Sequence, residues 1–297
     1  MECANCCRYD GPMLLADPAP APASTAWPAR LSLGFERRAG ATVLARREHL
    51  GPLRVQKALY PEGDGVCHCV VLHPPSGIAG GDQLTLEVDV AQDAHALLTT
   101  PGAGKWYRSA GPEASQSLVF RVSKGAMLEW LPQETILFDG SRAAMATHVT
   151  LAEQARFLGW EVLCLGRRAS GEHYGAGHLG LATRMTREDR PIWLERGRIR
   201  GGDPVLDAPA GLAGFSVAAT FLATGAPAGP ELMAACRGLP VAEPGARVGL
   251  SALPDLLVAR YLGHSSEAAR HWFIGLWHLL RPVFAGRDAV PPRIWNT

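Results

Sequence analysis

The sequence predicts a mainly β protein: stacked antiparallel or mixed sheets, piled in a solenoid-like manner, with two helices, the longer one near the C-terminus. Three observations predict it. Apolar residues recur at every second position through most of the chain. Turn-forming Gly, Pro and Asp clusters separate these runs, and helical spacing occurs in only two places. Leu84, Leu86, Val88 and Val90 alternate with Thr85, Glu87 and Asp89, the clearest half-buried strand. Leu31, Leu33 and Phe35 alternate with Ser32, Gly34 and Glu36 in the same way. Further strand-type runs are Thr42–Arg46, Leu53–Tyr60, Val66–Leu72, Ala96–Thr100, Ser117–Val122, Met127–Leu131 and Thr135–Phe138. Others follow at Met145–Leu151, Arg156–Leu165, Leu179–Thr186, Ile192–Arg200, Phe215–Leu222 and Leu256–Leu262. Turns fall at Glu62-Gly63-Asp64-Gly65, Gly80-Gly81-Asp82, Asp139-Gly140 and Gly201-Gly202-Asp203. No fixed repeat length stands out, so the spacing alone does not establish a solenoid.

The first helix is expected over Gly229–Arg237, stopped by Gly238. The second starts at Ser265 or Ser266, which can cap free N–H groups, and runs to about Phe284. Its positions Ala269, Trp272, Leu276, Leu279 and Val283 follow helical spacing and should face the sheets. Residues 1–26 form a separate Cys- and Pro-rich tail, expected to be extended and flexible; residues 27–297 read as one continuous domain. Met1 and Met13 both stand as candidate starts, and with the second the tail would be an upstream extension.

Composition narrows the function classes. Of 297 residues, 47% are apolar and 19% charged, with 29 basic against 28 acidic side chains. The apolar surplus must be buried in a core or against partners, and a chain so lightly charged should dissolve poorly alone. Without a basic patch, nucleic acid is a poor partner. The longest apolar stretch, Ala268 to Phe284, is interrupted by Arg270, His271, His278 and Arg281, so no membrane span is expected. The amino terminus lacks the basic-then-apolar order of a secretory signal. Seven cysteines, an odd number in a large chain, suggest free thiols in a reducing cytoplasm.

Local motifs do not assemble an enzyme. Gly102-Ala103-Gly104-Lys105 resembles a phosphate loop, but Trp106 and Thr99 stand where Ser/Thr and Gly are needed. Neither a Gly-x-Ser-x-Gly elbow nor His-Glu-x-x-His occurs. Cys67-His68-Cys69 with His73 is a candidate metal set, as are Cys3, Cys6 and Cys7. On a strand, however, His68 opposes the two cysteines, and Cys69 and His73 stand about 13 Å apart if extended. The alternative is thiols buried as small hydrophobes.

Glu161 stands in the apolar run Phe157–Leu165, Glu195 follows Ile192-Trp193-Leu194, and Asp82 ends a Gly-Gly turn. Each must pair with an arginine such as Arg167, Arg196 or Arg198, stay protonated, touch water, or bind a cation.

Several segments together resemble the UreD (UreH) family of urease accessory proteins, over nearly all of residues 27–297. They are Gly51–Lys57 with Tyr60–Gly63; His68 followed by Leu72–Pro75 and Gly77–Asp82; and Thr99–Ala103 with Lys105–Ser109. Leu128–Glu134, Leu163–Arg167 with Gly171-Glu172, and Pro292–Trp295 follow in order. The resemblance implies stacked sheets with two helices and no catalytic residues or tightly bound cofactor. It implies a cytoplasmic scaffold that binds UreF, through it the GTPase UreG, and apo-urease, and that helps deliver transient Ni²⁺ to the urease active site. It further implies a polar internal passage whose carboxylates match Asp82, Glu161 and Glu195. A pure adaptor that alters urease conformation without conducting nickel is the alternative, and a metalloenzyme built on Cys67, His68 and His73 the remote one. Two departures stand out: Gly104 replaces a Ser or Thr, and the cysteine-rich tail is foreign to the family pattern.

Overall fold

The structure, a computed structural model, describes residues 27–296; the amino-terminal tail with Cys3, Cys6 and Cys7 lies outside the described residues. A hairpin of β1 (Pro28–Arg38) and β2 (Ala41–Leu50) opens the fold, followed by β3 (Arg54–Val55). The chain then winds into coils. The first holds β4 (Cys67–Leu72), β5 (Gly77–Ile78) and β6 (Gln83–Val90). The second holds β7 (His95–Thr99), β8 (Gly104–Trp106) and β9 (Ala114–Val122), and the third β10 (Met127–Trp130), β11 (Thr135–Leu137) and β12 (Arg142–Leu151). A fourth runs through β13 (Arg156–Leu165) to β14 (His178–Arg187) and ends in a hairpin with β15 (Arg190–Arg200). The remaining elements are β16 (Val217–Thr224), α1 (Pro230–Arg237), β17 (Arg247–Leu253), β18 (Leu256–Gly263) and α2 (Ser266–Ala285).

The first strands of successive coils begin at Cys67, His95, Met127 and Arg156, steps of 28, 32 and 29 residues. Unequal steps explain why no repeat length is visible in the sequence. Strands met once per coil run in the same direction, so β4, β7, β10 and β13 pair in parallel, as do β1, β6, β9, β12 and β14. Hairpins supply antiparallel pairs at the ends. The sheets are thus mixed, parallel in the middle.

Three layers result. A seven-stranded sheet, ordered β15-β14-β12-β9-β6-β1-β2, faces an eleven-stranded sheet whose main path is β17-β18-β16-β13-β10-β7-β4-β3. The short strands β5, β8 and β11 line one side between them. The outer face of the larger sheet is covered by α2, with α1 beside it. One apolar core lies between the sheets, and a second lies under the helices. Strand β13 serves both: Phe157, Leu163 and Leu165 enter the first core, and Leu158, Trp160 and Val162 the second.

Ser265 caps α2 by accepting from the Ala268 N–H at 3.0 Å, and Gly286, with φ 64°, ends it in the left-handed region that glycine tolerates. The expected buried stripe needs rotating. Ala269, Trp272 and Leu276 are buried as read, but Val283 is 49% exposed and Phe284 is buried in its place. A 3.6-residue turn carries the stripe from Leu276 through Leu280 to Phe284. Leu53–Tyr60 pairs only at Arg54–Val55 and through a single bridge from Leu59 to His68. Strand β17 lies outside the runs expected from sequence; it is short and nearly all exposed, although Val248, Leu250 and Ala252 alternate with Gly249 and Ser251. Its pairing with β18 makes it a strand.

Candidate functional site

Register across the smaller sheet places residues in rows. One inward-facing row reads Leu31, Leu86, Leu118, Thr147, Thr183, Glu195 from β1 to β15. It begins apolar and turns polar over its last three strands. On the larger sheet, Glu161, Thr220 and Arg260 are aligned neighbours on β13, β16 and β18. The two polar rows face each other across the gap, joined by an ion pair of 2.7 Å between Arg260 and Glu195 Oε1.

Between the sheets lies a cavity of about 830 Å³. Its walls are largely apolar, with Leu86, Leu118, Met145 and Phe157 among them; Glu161, Glu195, Arg260, Thr147, Thr183 and Thr220 form one polar cluster, and His73, Lys105, Gln116 and Gln133 are polar elsewhere on the wall. Gly104 also lines it. A Cβ at that glycine would stand 3.9 Å from Thr135 Oγ1 on the adjacent strand, so the neighbour supplies a hydroxyl beside the place where Gly104 has none.

Glu161 is the unusual member. No cation pairs with it among the described residues, and burial, followed by the like charge of Glu195, pushes its carboxyl up to about 7. Near neutral pH it is therefore partly protonated, and it can accept a cation in exchange for a proton. Glu195 is partnered, but by Arg260 rather than by Arg196 or Arg198, its strand neighbours. Parity explains this, since Arg196 and Arg198 point outward and are exposed.

Asp82 lies apart from this pair and outside the cavity lining. Its Oδ2 accepts from the Ala79 N–H at 2.9 Å, closing the Gly80-Gly81 turn. Its charge acts on His73, which does line the cavity and whose pKa is lowered by burial against the pull of Asp82.

The candidate metal set separates as strand parity requires. Cys67 and Cys69 are sealed in the inter-sheet core. Their thiols share a hydrogen bond, which lowers Cys67 and raises Cys69. His68 faces the helix layer, where its Nε2 meets Glu62 at 2.6 Å. Among the described residues, no three His, Cys, Asp or Glu side chains converge as a set that could hold a metal ion.

His68 belongs instead to a buried network that sequence reading missed. Arg281 of α2 donates to Glu62 at 2.7 and 2.8 Å and to Glu129 at 3.0 to 3.1 Å. Glu129 also accepts from Trp277 Nε1 at 2.6 Å and meets His95 Nε2 at 2.6 Å. Burial works to raise the Glu129 carboxyl, but the His95 hydrogen bond and the charges of His95 and Arg281 outweigh it, leaving a value of about 2. The signal was available: Glu129 in Met127–Leu131, Arg281 in an apolar helix stripe and Arg260 in Leu256–Leu262 each break an apolar run as Glu161 does.

No helix among the described residues is long and apolar enough to cross a membrane. The sequence profile of the family described as UreD urease accessory protein matches residues 28–296. The urease accessory protein UreD of Dechloromonas aromatica is 58% identical over 281 residues, covering 92% of this chain and 96% of its own. Those of an Azoarcus species and of Pseudomonas aeruginosa are 54% and 50% identical, covering 93% and 92% of this chain and 96% of each relative. With the family profile spanning the described fold, the chain belongs to the UreD family of urease accessory proteins, a family of accessory proteins and not of enzymes.

Proposed function

We propose that this chain is a cytoplasmic scaffold in urease maturation that binds UreF, through it UreG, and apo-urease, and that Ni²⁺ reaches urease through its inter-sheet cavity. The observation that carries this reading is the pair of facing polar rows, with Glu161 and Glu195 lining a cavity of about 830 Å³ whose walls are largely apolar. A bare divalent ion cannot enter an apolar core; it needs oxygen or nitrogen ligands, or retained water, at each step. Carboxylates and threonine hydroxyls spread along a roomy cavity offer such ligands without a closed cage. Weak, multiple sites let an ion leave as readily as it enters. Asp82 and His73 would serve the β4 end, opposite Glu195 in strand order.

The test is urease activation reconstituted from purified components with the Glu161→Ala/Glu195→Ala double variant. Activation should fall at least tenfold while the variant stays folded and still co-purifies with UreF. Normal activation by the double variant would remove the passage and leave an adaptor that acts on urease conformation alone.

A further inference from the structure

We propose that Arg260 is an intramolecular competitor for the Glu195 carboxylate, a latch that keeps the cavity's affinity for divalent cations low. The inference rests on the passage reading above and concerns how the site releases its cargo.

A fixed guanidinium on a carboxylate meant for a cation is a contradiction unless it can leave. Arg260 and Glu195 sit on different sheets, β18 and β15, and their ion pair spans the gap between the two polar rows. Both side chains are part open to solvent, 46% for Arg260 and 33% for Glu195. An ion pair so exposed is favoured over its open state by about fivefold at most. A divalent cation can displace it easily.

Arg260 also has somewhere to remain. Its Nη1 donates to Thr220 Oγ1 at 3.2 Å, and its guanidinium stands 5.7 Å from the centroid of the Trp193 ring. These contacts are independent of Glu195, so the arginine can give up the carboxylate and stay at the cavity wall. When the cation moves on, Arg260 returns and neutralises Glu195. The exchange replaces an ion that would otherwise be held between two carboxylates, and the apparent affinity falls by the closed-state population ratio. Arg281 makes the contrast: sealed at 0% exposure between two carboxylates, it has no open state within reach.

The experiment is calorimetric titration of the full-length chain with nickel chloride, paired with stopped-flow transfer of bound Ni²⁺ to a chromogenic chelator. It compares wild type, Arg260→Gln, Arg260→Lys and Glu161→Ala/Glu195→Ala. Arg260→Gln should bind Ni²⁺ more tightly by up to about fivefold and release it correspondingly more slowly. Arg260→Lys, which keeps the charge but loses the planar fork, should fall between it and wild type. Affinity and release unchanged in Arg260→Gln would overturn the latch. If the double carboxylate variant alone then loses Ni²⁺ binding, the passage reading survives the latch. If the double variant binds as wild type does, the carboxylate site itself is refuted.

Discussion

Glu129 and Glu161 stand on β10 and β13, paired parallel strands of one sheet, and point to its opposite faces. Glu129 is fully buried and Glu161 lines the cavity, yet one is held near 2 and the other pushed to about 7. Partners account for the difference. Glu129 meets a guanidinium, an indole N–H and an imidazole, all within 3.1 Å. Glu161 meets a cavity and another carboxylate. Burial sets the stakes for an acid, and its neighbours decide the sign. The helix-facing side uses charge to fasten α2, and the sheet-facing side leaves charge available.

The largest effect should come from Arg281→Met. It strands Glu129 and Glu62 without their cation, and urea denaturation should reveal a loss of about 3–5 kcal/mol. A loss below about 1 kcal/mol would mean that the network does not hold the helix.

Next comes Glu161→Gln, with the opposite sign. A carboxyl raised above its unfolded value binds its proton more tightly when folded, so stability falls as pH rises from about 4.5 to about 7 and is level above. The cost at pH 8 is about 3 kcal/mol at most, less whatever cavity water restores. The variant should therefore be more stable than wild type at pH 8 and nearly equal to it at pH 4, while supporting less urease activation. Glu129 runs the other way: its contribution is complete above about 4.5 and disappears as pH falls toward 2. Equal urea midpoints for wild type and Glu161→Gln at both pH values would erase the distinction between the two acids.

The smallest change in stability belongs to Arg260→Gln, within about 1 kcal/mol of wild type, because its ion pair is half exposed. Two arginines in the same fold should thus differ several-fold in what their removal costs. A large loss at Arg260 would make it a structural clamp and remove the basis for its release.

Much of this is legible in the sequence. Period-two runs located most of the strands, and Glu161 and Glu195 stood out because an acid in an apolar run needs a reason. Other features were hidden for physical reasons. The parallel pairing depends on contacts between residues about 30 apart, and coils of 28, 32 and 29 residues leave no constant period to detect. Arg260 finds Glu195 only because two sheets stack, which no local pattern encodes. The same holds for Glu62 and Arg281, which are 219 residues apart. Thr147, Thr183 and Thr220 look like ordinary strand residues until register lines them up with acids.

Because β13 is buried on both sides, it has no neutral register. Deleting one residue early in the strand would turn Glu161 under the helix, among Phe221 and Phe273, and swing the Trp160 indole to the cavity side. Insertions and deletions of single residues should therefore be absent from this strand in working proteins, whereas the corners joining the coils, which already differ in length, can absorb them. The geometry that turns Glu161 toward the cavity also dictates where the chain can grow.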